Sequence, residues 1–472
     1  MNASVTAQIE KIVGPLGYLH KAEDLTLYEY DGGVDKSRPD YVVFPESTED
    51  VVALVKLAAA QGMPLVGRGA GTGLSGGAIA RAGGLIISFA RMNKILEIDL
   101  PNERAVVQPG VVNIDITGAV EADGYFYAPD PSSQRACTIG GNVSENSGGP
   151  HTLAYGVTTN HVLGIEAVLP DGSVIQTGSG YDLPGYDLTG LLVGSEGTMV
   201  LVTKIIVRLM RKPEVVKTIL AIYNAPEDAG ETVAQITSRA ITPVAIEMLD
   251  GVLLRMVEEA THAGYPMDAA AVLLIELEGL TETVEEQTEQ IRDVCSLCKA
   301  REFRVARTAE ERDKLWWGRK NAFGAVGRFS PAYYVQDGVV PRTQMASTLR
   351  FIDELGKRTG LSISNIFHAG DGNLHPLITF DPRVEGQLEK VKHASDEILE
   401  YCISVGGSIT GEHGVGMEKM EMMGRQFSDH SLAMIGRFKK LFDPGCRLNP
   451  GKVLPTGRGC MEIRQRVGDL TL

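Results

Sequence analysis

The run Pro64-Leu65-Val66-Gly67-Arg68-Gly69-Ala70-Gly71-Thr72-Gly73-Leu74-Ser75-Gly76-Gly77 sets a glycine at almost every second position behind a short apolar stretch. Backbone without side chains lets successive N–H groups close around a phosphate. Gly71-x-Gly73-x-x-Gly76 fits the dinucleotide fingerprint, but a doubly wound sheet needs that loop to open into a helix of roughly a dozen residues. Ala78–Gly84 is too short and too glycine-rich for such a helix, and strand-forming Leu85 follows at once. The run therefore predicts a phosphate nest that no helix extends.

Outward from this loop, Ser47-Thr48-Glu49-Asp50 offers a capping box to a helix through Val51–Ala60, and Met63–Val66 reads as the strand entering the loop. Short β runs follow at Leu85–Ser88, Ile95–Ile98 and Ala105–Gln108, then a hairpin over Val162–Thr177 and a strand over Met199–Arg208. A second glycine- and amide-rich stretch passes through Asp130, Ser133, Thr138, Gly141, Asn142, Asn146, Gly148 and Gly149, and a third is Gly194-Ser195-Glu196-Gly197-Thr198. Such backbone can wrap a large cofactor, and Glu196 could accept hydrogen bonds from ribityl or ribose hydroxyls.

Past Arg211-Lys212-Pro213 the rhythm changes. Strands at Thr218–Tyr223, Val244–Leu249 and Val272–Glu278 alternate with helical segments near Glu227–Arg239, Val252–Glu259 and Thr281–Lys299, which predicts an antiparallel sheet covered by helices, a ferredoxin-like α+β domain. Between two short strands of this half lies Ser364-Asn365-Ile366-Phe367-His368-Ala369-Gly370-Asp371-Gly372-Asn373-Leu374-His375, and further on Gly411-Glu412-His413-Gly414-Val415-Gly416. His368 and His375 flank a turn-rich segment, so the chain can fold back and aim both imidazoles at one point. With Glu412 they supply two nitrogen donors and one oxygen, the set of a catalytic metal site, which zinc, manganese and ferrous iron all accept. The glycines around Glu412 and His413 allow the two to face different ways, leaving His413 as a general base near neutral pH. Arg319 can grip a carboxylate with two parallel hydrogen bonds or lie on a solvated helix face. Asn373 can orient a ligand or serve the turn.

At 472 residues the chain is too long for one ordinary core, and two domains are expected. A net charge of −15 argues against a nucleic-acid partner, which demands a basic face. No apolar run reaches the length of a spanning helix and the first residues lack the pattern of a signal peptide, so a cytoplasmic protein is expected. Six scattered cysteines suggest no disulfide framework, and Cys295-x-x-Cys298 has no second pair to complete a zinc knuckle.

In motif order from about residue 38 to 455, the loop Val66–Gly77, the Asp130–Gly149 stretch, Tyr181-Asp182-Leu183-Pro184-Gly185-Tyr186-Asp187-Leu188-Thr189-Gly190, the Gly194–Thr198 run, His368 with His375, and Glu412-His413 resemble the FAD-linked oxidases of the vanillyl-alcohol oxidase type. Trp317–Arg328 and Asp337-Gly338-Val339-Val340-Pro341 are most similar to the branch of bacterial glycolate oxidase flavin subunits and D-lactate dehydrogenases. The resemblance implies an α+β chain: an N-terminal segment 1–37, a PCMH-type FAD-binding domain over 38–213, a ferredoxin-like FAD-oxidase C-terminal cap domain over 214–456, and a tail 457–472. It implies that Arg68, Gly69, Ala70, Gly71, Thr72, Gly73, Leu74, Pro129, Asp130, Ser133, Thr138, Gly141, Asn142, Asn146, Gly148, Gly149, Glu196, Gly197 and Asn449 hold FAD. Relatives that bind flavin covalently use a histidine in the first glycine loop; Thr72 and Leu74 stand here, so non-covalent FAD is expected, with His151 the nearest other candidate.

The activity implied is oxidation of a short D-2-hydroxy acid, glycolate or D-lactate. His413 takes the hydroxyl proton, Arg319 and Asn373 hold the carboxylate, and a divalent metal (Zn, Mn or Fe) sits on His368, His375 and Glu412. Relatives acting on 2-hydroxyglutarate carry an extra cation shortly before the Asp of Asp-x-x-x-Pro, where this chain has Tyr333-Tyr334-Val335-Gln336. Partner redox subunits, a second flavin-type subunit and an iron–sulfur subunit, are implied too, with peripheral attachment to the inner face of the membrane through them. A metal-dependent hydrolase and a non-catalytic flavin-binding subunit are the readings from other classes.

Overall fold

The structure, a computed structural model, describes residues 3–178 and 185–455. Tyr181-Asp182-Leu183-Pro184 and the tail 457–472 lie outside the described residues. The chain forms two compact units, one of Met1–Gly148, Val157–Arg211 and Glu412–Leu472, the other of Gly149–Gly156 and Lys212–Gly411. The crossing after Arg211 falls where the sequence changes rhythm. The segment from Glu412 belongs to the first unit.

In the first unit a four-stranded sheet has the order Tyr18–Leu19, Tyr41–Val43, Leu85–Ser88, Leu65–Arg68, with Leu85–Ser88 parallel to both of its neighbours. Leu85, Ile86, Ile87 and Ser88 are all buried, as expected of a parallel strand covered on both faces. The crossover between Tyr41–Val43 and Leu65–Arg68 is the helix Thr48–Gln61. It starts where the Ser47 hydroxyl accepts from the Asp50 N–H at 3.1 Å, and it stops at Gly62, whose φ of +64° is open to glycine. Its inner face of Val51, Leu54, Val55 and Ala58 packs with Leu65, Leu85 and Ile87 in one core. Each Val, Leu or Ile side chain among them contributes about 1.5–3 kcal/mol of burial. A five-stranded antiparallel sheet follows, ordered Ile95–Asp99, Arg104–Val107, Leu201–Arg208, Val162–Val168, Val174–Gly178.

The returning chain completes this unit. The Leu65 N–H donates to the Arg447 carbonyl at 2.8 Å and the Asn449 N–H to the Leu65 carbonyl at 2.7 Å, so Leu448 lies as an extra bridge along the edge strand.

The second unit is built on an eight-stranded antiparallel sheet. Its order is Glu302–Val305, Val215–Tyr223, Ala271–Gly279, Ala245–Asp250, Ser362–His368, Asn373–Phe380, Ala332–Val335, with Gly338–Val339 also paired to Asn373–Phe380. The helices Pro226–Ser238, Gly251–Thr261 and Thr281–Leu297 alternate with its first strands as the sequence predicts, but the sheet is wider than a four-stranded ferredoxin-like one. The histidine stretch is a hairpin. His368 ends one strand and His375 lies within the next, with His368 opposite Asn373 and Ile366 opposite His375. The histidines therefore sit on rigid strands and not in a loop between them.

The turn leaves no room at Gly372, where φ is +82° and an added Cβ would lie 2.2 Å from the Val340 carbonyl oxygen. Gly372→Ala is expected to destabilise the protein by more than about 2 kcal/mol, through left-handed strain plus displacement of the neighbouring strand. A melting temperature equal to that of the wild type would contradict this.

Candidate functional site

The glycine loop of the first unit carries no regular structure between Arg68 and Leu85, and no helix follows it. Gly71 and Gly76 take φ values of +72° and +80°. A Cβ at Gly69 would lie 2.3 Å from the Thr138 hydroxyl, which is buried with no hydrogen-bond partner among the described residues. Two of the predicted cofactor runs thus meet, with bare backbone against an unsatisfied hydroxyl, an arrangement that fits a bound dinucleotide. Arg68 donates to the carbonyls of Tyr30 and Ala78 at 2.8 and 3.3 Å, and burial lowers its pKa against the pull of Asp31. Asn142 accepts from Asn113 at 3.0 Å and donates to Ser147 at 3.2 Å; Asn146 caps the helix Ile139–Glu145 with a φ of +56°. These residues shape the cradle from behind.

Glu196 is buried and engaged within the chain. Its two carboxylate oxygens accept from the N–H groups of Val415 and Gly416, both at 2.7 Å, so it holds the returning loop. Asn449 donates to the carbonyls of Gly77 and Glu196 at 2.8 Å each, fastening the glycine loop to the same point. Ser75, within the loop, donates its hydroxyl to the His413 carbonyl at 2.9 Å. Glu145 is wedged between two glycines: a Cβ at Gly77 or Gly414 would come within 2.5 and 2.4 Å of its oxygens. Burial, then the nearby Glu196 and Asp31, push the Glu145 carboxyl well up, and burial raises Glu196 as well. Lys452 answers them from among the same residues, donating to the Ile79 carbonyl at 2.6 Å, its amine brought down to about 8 by burial. The Glu412 carboxylate lies 3.8 Å from the His413 ring.

In the second unit His368 and His375 are both buried, their rings 5.0 Å apart and nearly perpendicular. Asp337 lies 3.5 Å from His375 and accepts from the Thr410 hydroxyl and the Gly411 N–H at 2.6 and 3.0 Å. Two buried imidazoles, one of them beside a carboxylate, are donors of the kind a divalent cation takes. Arg319 is 1% exposed, which sets aside the solvated-face reading. Its Nη2 pairs with Glu247, and its Nε and Nη1 are buried without a partner among the described residues. Those two nitrogens do not form a parallel fork, so a carboxylate taking two parallel bonds from Arg319 would share Nη2 with Glu247. The Asn373 side-chain oxygen is likewise buried and unpartnered. His151 belongs to this unit, 3.1 Å from Glu276 and against Trp316, and is engaged there. Cys295 and Cys298 are buried thiols whose pKa burial raises, the opposite of a reactive pair. Gln336, at the place of the extra cation, turns its amide to Ser395 and to the Asp337 N–H.

Sequence reasoning missed Glu247, Glu145, Lys452 and Ser75. Glu247 left one signal, a lone charge inside the apolar run Val244-Ala245-Ile246-Glu247-Met248-Leu249. Burial works against its charge, yet Arg319 and His368 outweigh that and hold its carboxyl below the usual range.

Residues 212–453 match the family described as FAD linked oxidases, C-terminal domain, and residues 39–178 match the FAD binding domain family. The chain belongs to the FAD-linked oxidases. It is 44% identical over 462 residues to the glycolate oxidase subunit GlcD of Escherichia coli K12, covering 98% of this chain and 93% of that protein. It is 42% identical to GlcD of Bacillus subtilis 168, covering 95% and 96%. A D-lactate dehydrogenase of Anaerostipes hadrus is 32% identical, covering 89% and 90%. Among solved structures, 4-ethylphenol oxidase from Gulosibacter chungangensis superposes with a TM-score of 0.81 at 19% identity over 96% of this chain and 98% of that one, which shows a shared fold.

The folded state raises the Glu145 carboxyl above its ordinary 4.5. A group shifted this way contributes stability that is complete below about 4.5 and is lost as pH rises through the folded value. Glu145→Gln, which cannot ionise, should gain stability relative to the wild type as pH climbs from 4.5 towards 8. A difference in melting temperature that stays constant across that range would refute the assignment.

Proposed function

We propose that this chain oxidises a short 2-hydroxy acid, glycolate to glyoxylate foremost, with D-lactate as the alternative substrate. The observation that carries the reading is identity of 44% across 98% of the chain to a glycolate oxidase subunit. D-lactate enters through the 32% identical dehydrogenase. Family membership disfavours the hydrolase reading.

The glycine loop, Thr138 and the Asp130–Gly149 stretch would hold FAD, and His368, His375 and Glu412 a divalent metal. The chemistry these groups supply when bound is hydride acceptance at the flavin and acidification of the substrate hydroxyl at the metal. Arg319, whose Nη1–H is buried without a partner among the described residues, orients the substrate carboxylate through that edge, and the Asn373 oxygen accepts from a ligand. Burial strengthens both contacts by excluding water. His413 removes the hydroxyl proton, its backbone carbonyl held by Ser75 so that the ring starts from a fixed point. With Gln336 turned to Ser395, the position that would serve a second carboxylate is filled, which favours a monocarboxylate. Electrons then leave through partner redox subunits, a second flavin-type chain and an iron–sulfur chain, because the cysteines here are not spaced for a cluster. Among the described residues no helix is long and apolar enough to cross a membrane, and a cytoplasmic location with attachment through those partners fits this scheme.

An anaerobic visible spectrum tests the reading. Glycolate, and D-lactate more weakly, should bleach the flavin band near ~450 nm as hydride reaches the cofactor, and D-2-hydroxyglutarate should not. His413→Ala should keep its FAD and lose flavin reduction by at least about 10²-fold. Unchanged bleaching in that variant, or a wild type that no 2-hydroxy acid bleaches, would overturn the proposal.

A further inference from the structure

Glu247 stands in the middle of the second unit's sheet, directly opposite His368 on the neighbouring strand, and is fully buried. Residues paired across antiparallel strands share a face, so the carboxylate and the imidazole are held together by the sheet itself. His368 Nδ1 lies 2.8 and 3.0 Å from the two carboxylate oxygens, and one of those oxygens also takes Nη2 of Arg319. An ionised carboxylate only accepts, so the imidazole proton belongs on Nδ1. One contact argues the other way: Arg319 Nη2 is 3.4 Å from the same Nδ1, and an arginine can only donate. The carboxylate is nearer, and it already takes the Nη2 hydrogen, so its demand decides the tautomer.

We propose that Glu247 is a positioning residue that keeps the His368 proton on Nδ1, so that Nε2 presents its lone pair to a divalent metal, while the same carboxylate fixes the guanidinium that meets the substrate. The inference rests on the function proposed above. A carboxylate behind a ligating histidine sets both ring orientation and basicity. Glutamine has the same size and the wrong chemistry. Beside Arg319 its oxygen would turn to the cation and its NH₂ to His368, which would move the imidazole proton to Nε2 and close the ligand position. Aspartate keeps the charge but is one methylene shorter and cannot reach both partners.

The test uses the full chain with FAD bound, equilibrated separately with Zn²⁺, Mn²⁺ and Fe²⁺, and bound metal counted by elemental mass spectrometry. Glu247→Gln is expected to keep its FAD and to bind metal about 10- to 100-fold more weakly than the wild type. A folded Glu247→Gln protein with wild-type metal affinity would overturn the inference. A second measurement needs no change at Glu247 and no metal. Nitrogen-15 spectra of the metal-free wild type, with the His368 signals assigned by their loss in His368→Gln, should show the proton on Nδ1, and a proton on Nε2 would overturn the inference by itself. If the wild type binds none of the three metals, the metal part of the proposed function fails, and the spectra still decide what Glu247 does.

Discussion

Two backbone amides, those of Val415 and Gly416, end on the one carboxylate of Glu196, and this contact is the constraint on which the first unit depends. A buried carboxylate left alone costs several kcal/mol in lost hydration, and so does a buried N–H without an acceptor. Joined, the two needs cancel, and the loop carrying Glu412 and His413 is fastened to the unit that holds the glycine loop. Asn449, Ser75 and Lys452 repeat the connection from other directions. Hydride transfer requires a base whose position does not drift, and the backbone of His413, the base in the function proposed above, is held by the Ser75 hydroxyl.

The second unit solves its own placement problem with acids inside the sheet. Glu247, Asp250, Glu276 and Asp337 are all buried, and each is surrounded by donors: Arg319 and His368 for the first, the amides of Leu253 and Asn365 for the second, Thr218, Trp316 and His151 for the third, Thr410 and Gly411 for the fourth. Buried charges satisfied this way contribute little net stability but allow few arrangements of their neighbours. The side chains around these acids are therefore held in place by the fold itself, the kind of preorganisation that electrostatic stabilisation needs.

Much of this was legible beforehand where the signal is local. The Leu85–Ser88 strand, the helix opening at Ser47 and the glycine loop without a helix each follow from residues within one turn or one strand of each other. His368 and His375 were legible as residues flanking a turn on which the chain folds back, but not as members of the two strands that the turn joins. Glu247 was passed over because its partners lie 72 and 121 positions away, and nothing in the strand announces them. The amides that Glu196 accepts from were hidden for the same reason, lying some 220 residues later. Long-range pairing of polar groups leaves no periodicity, and it is the part of a site that sequence pattern conveys least.

The bridge between Leu65 and Leu448 carries a consequence for biosynthesis. A strand made early waits for a segment made almost 400 residues later, so the first unit presents an open sheet edge throughout synthesis of the second. Contacts of such separation close slowly, and unpaired edges invite wrong partners in the meantime. The second unit, contiguous apart from Gly149–Gly156, can gather its sheet while the first is still incomplete. Connectivity thus lets the inserted unit fold on its own schedule, whereas the edge of the first unit's sheet closes only when the C-terminal segment has been made.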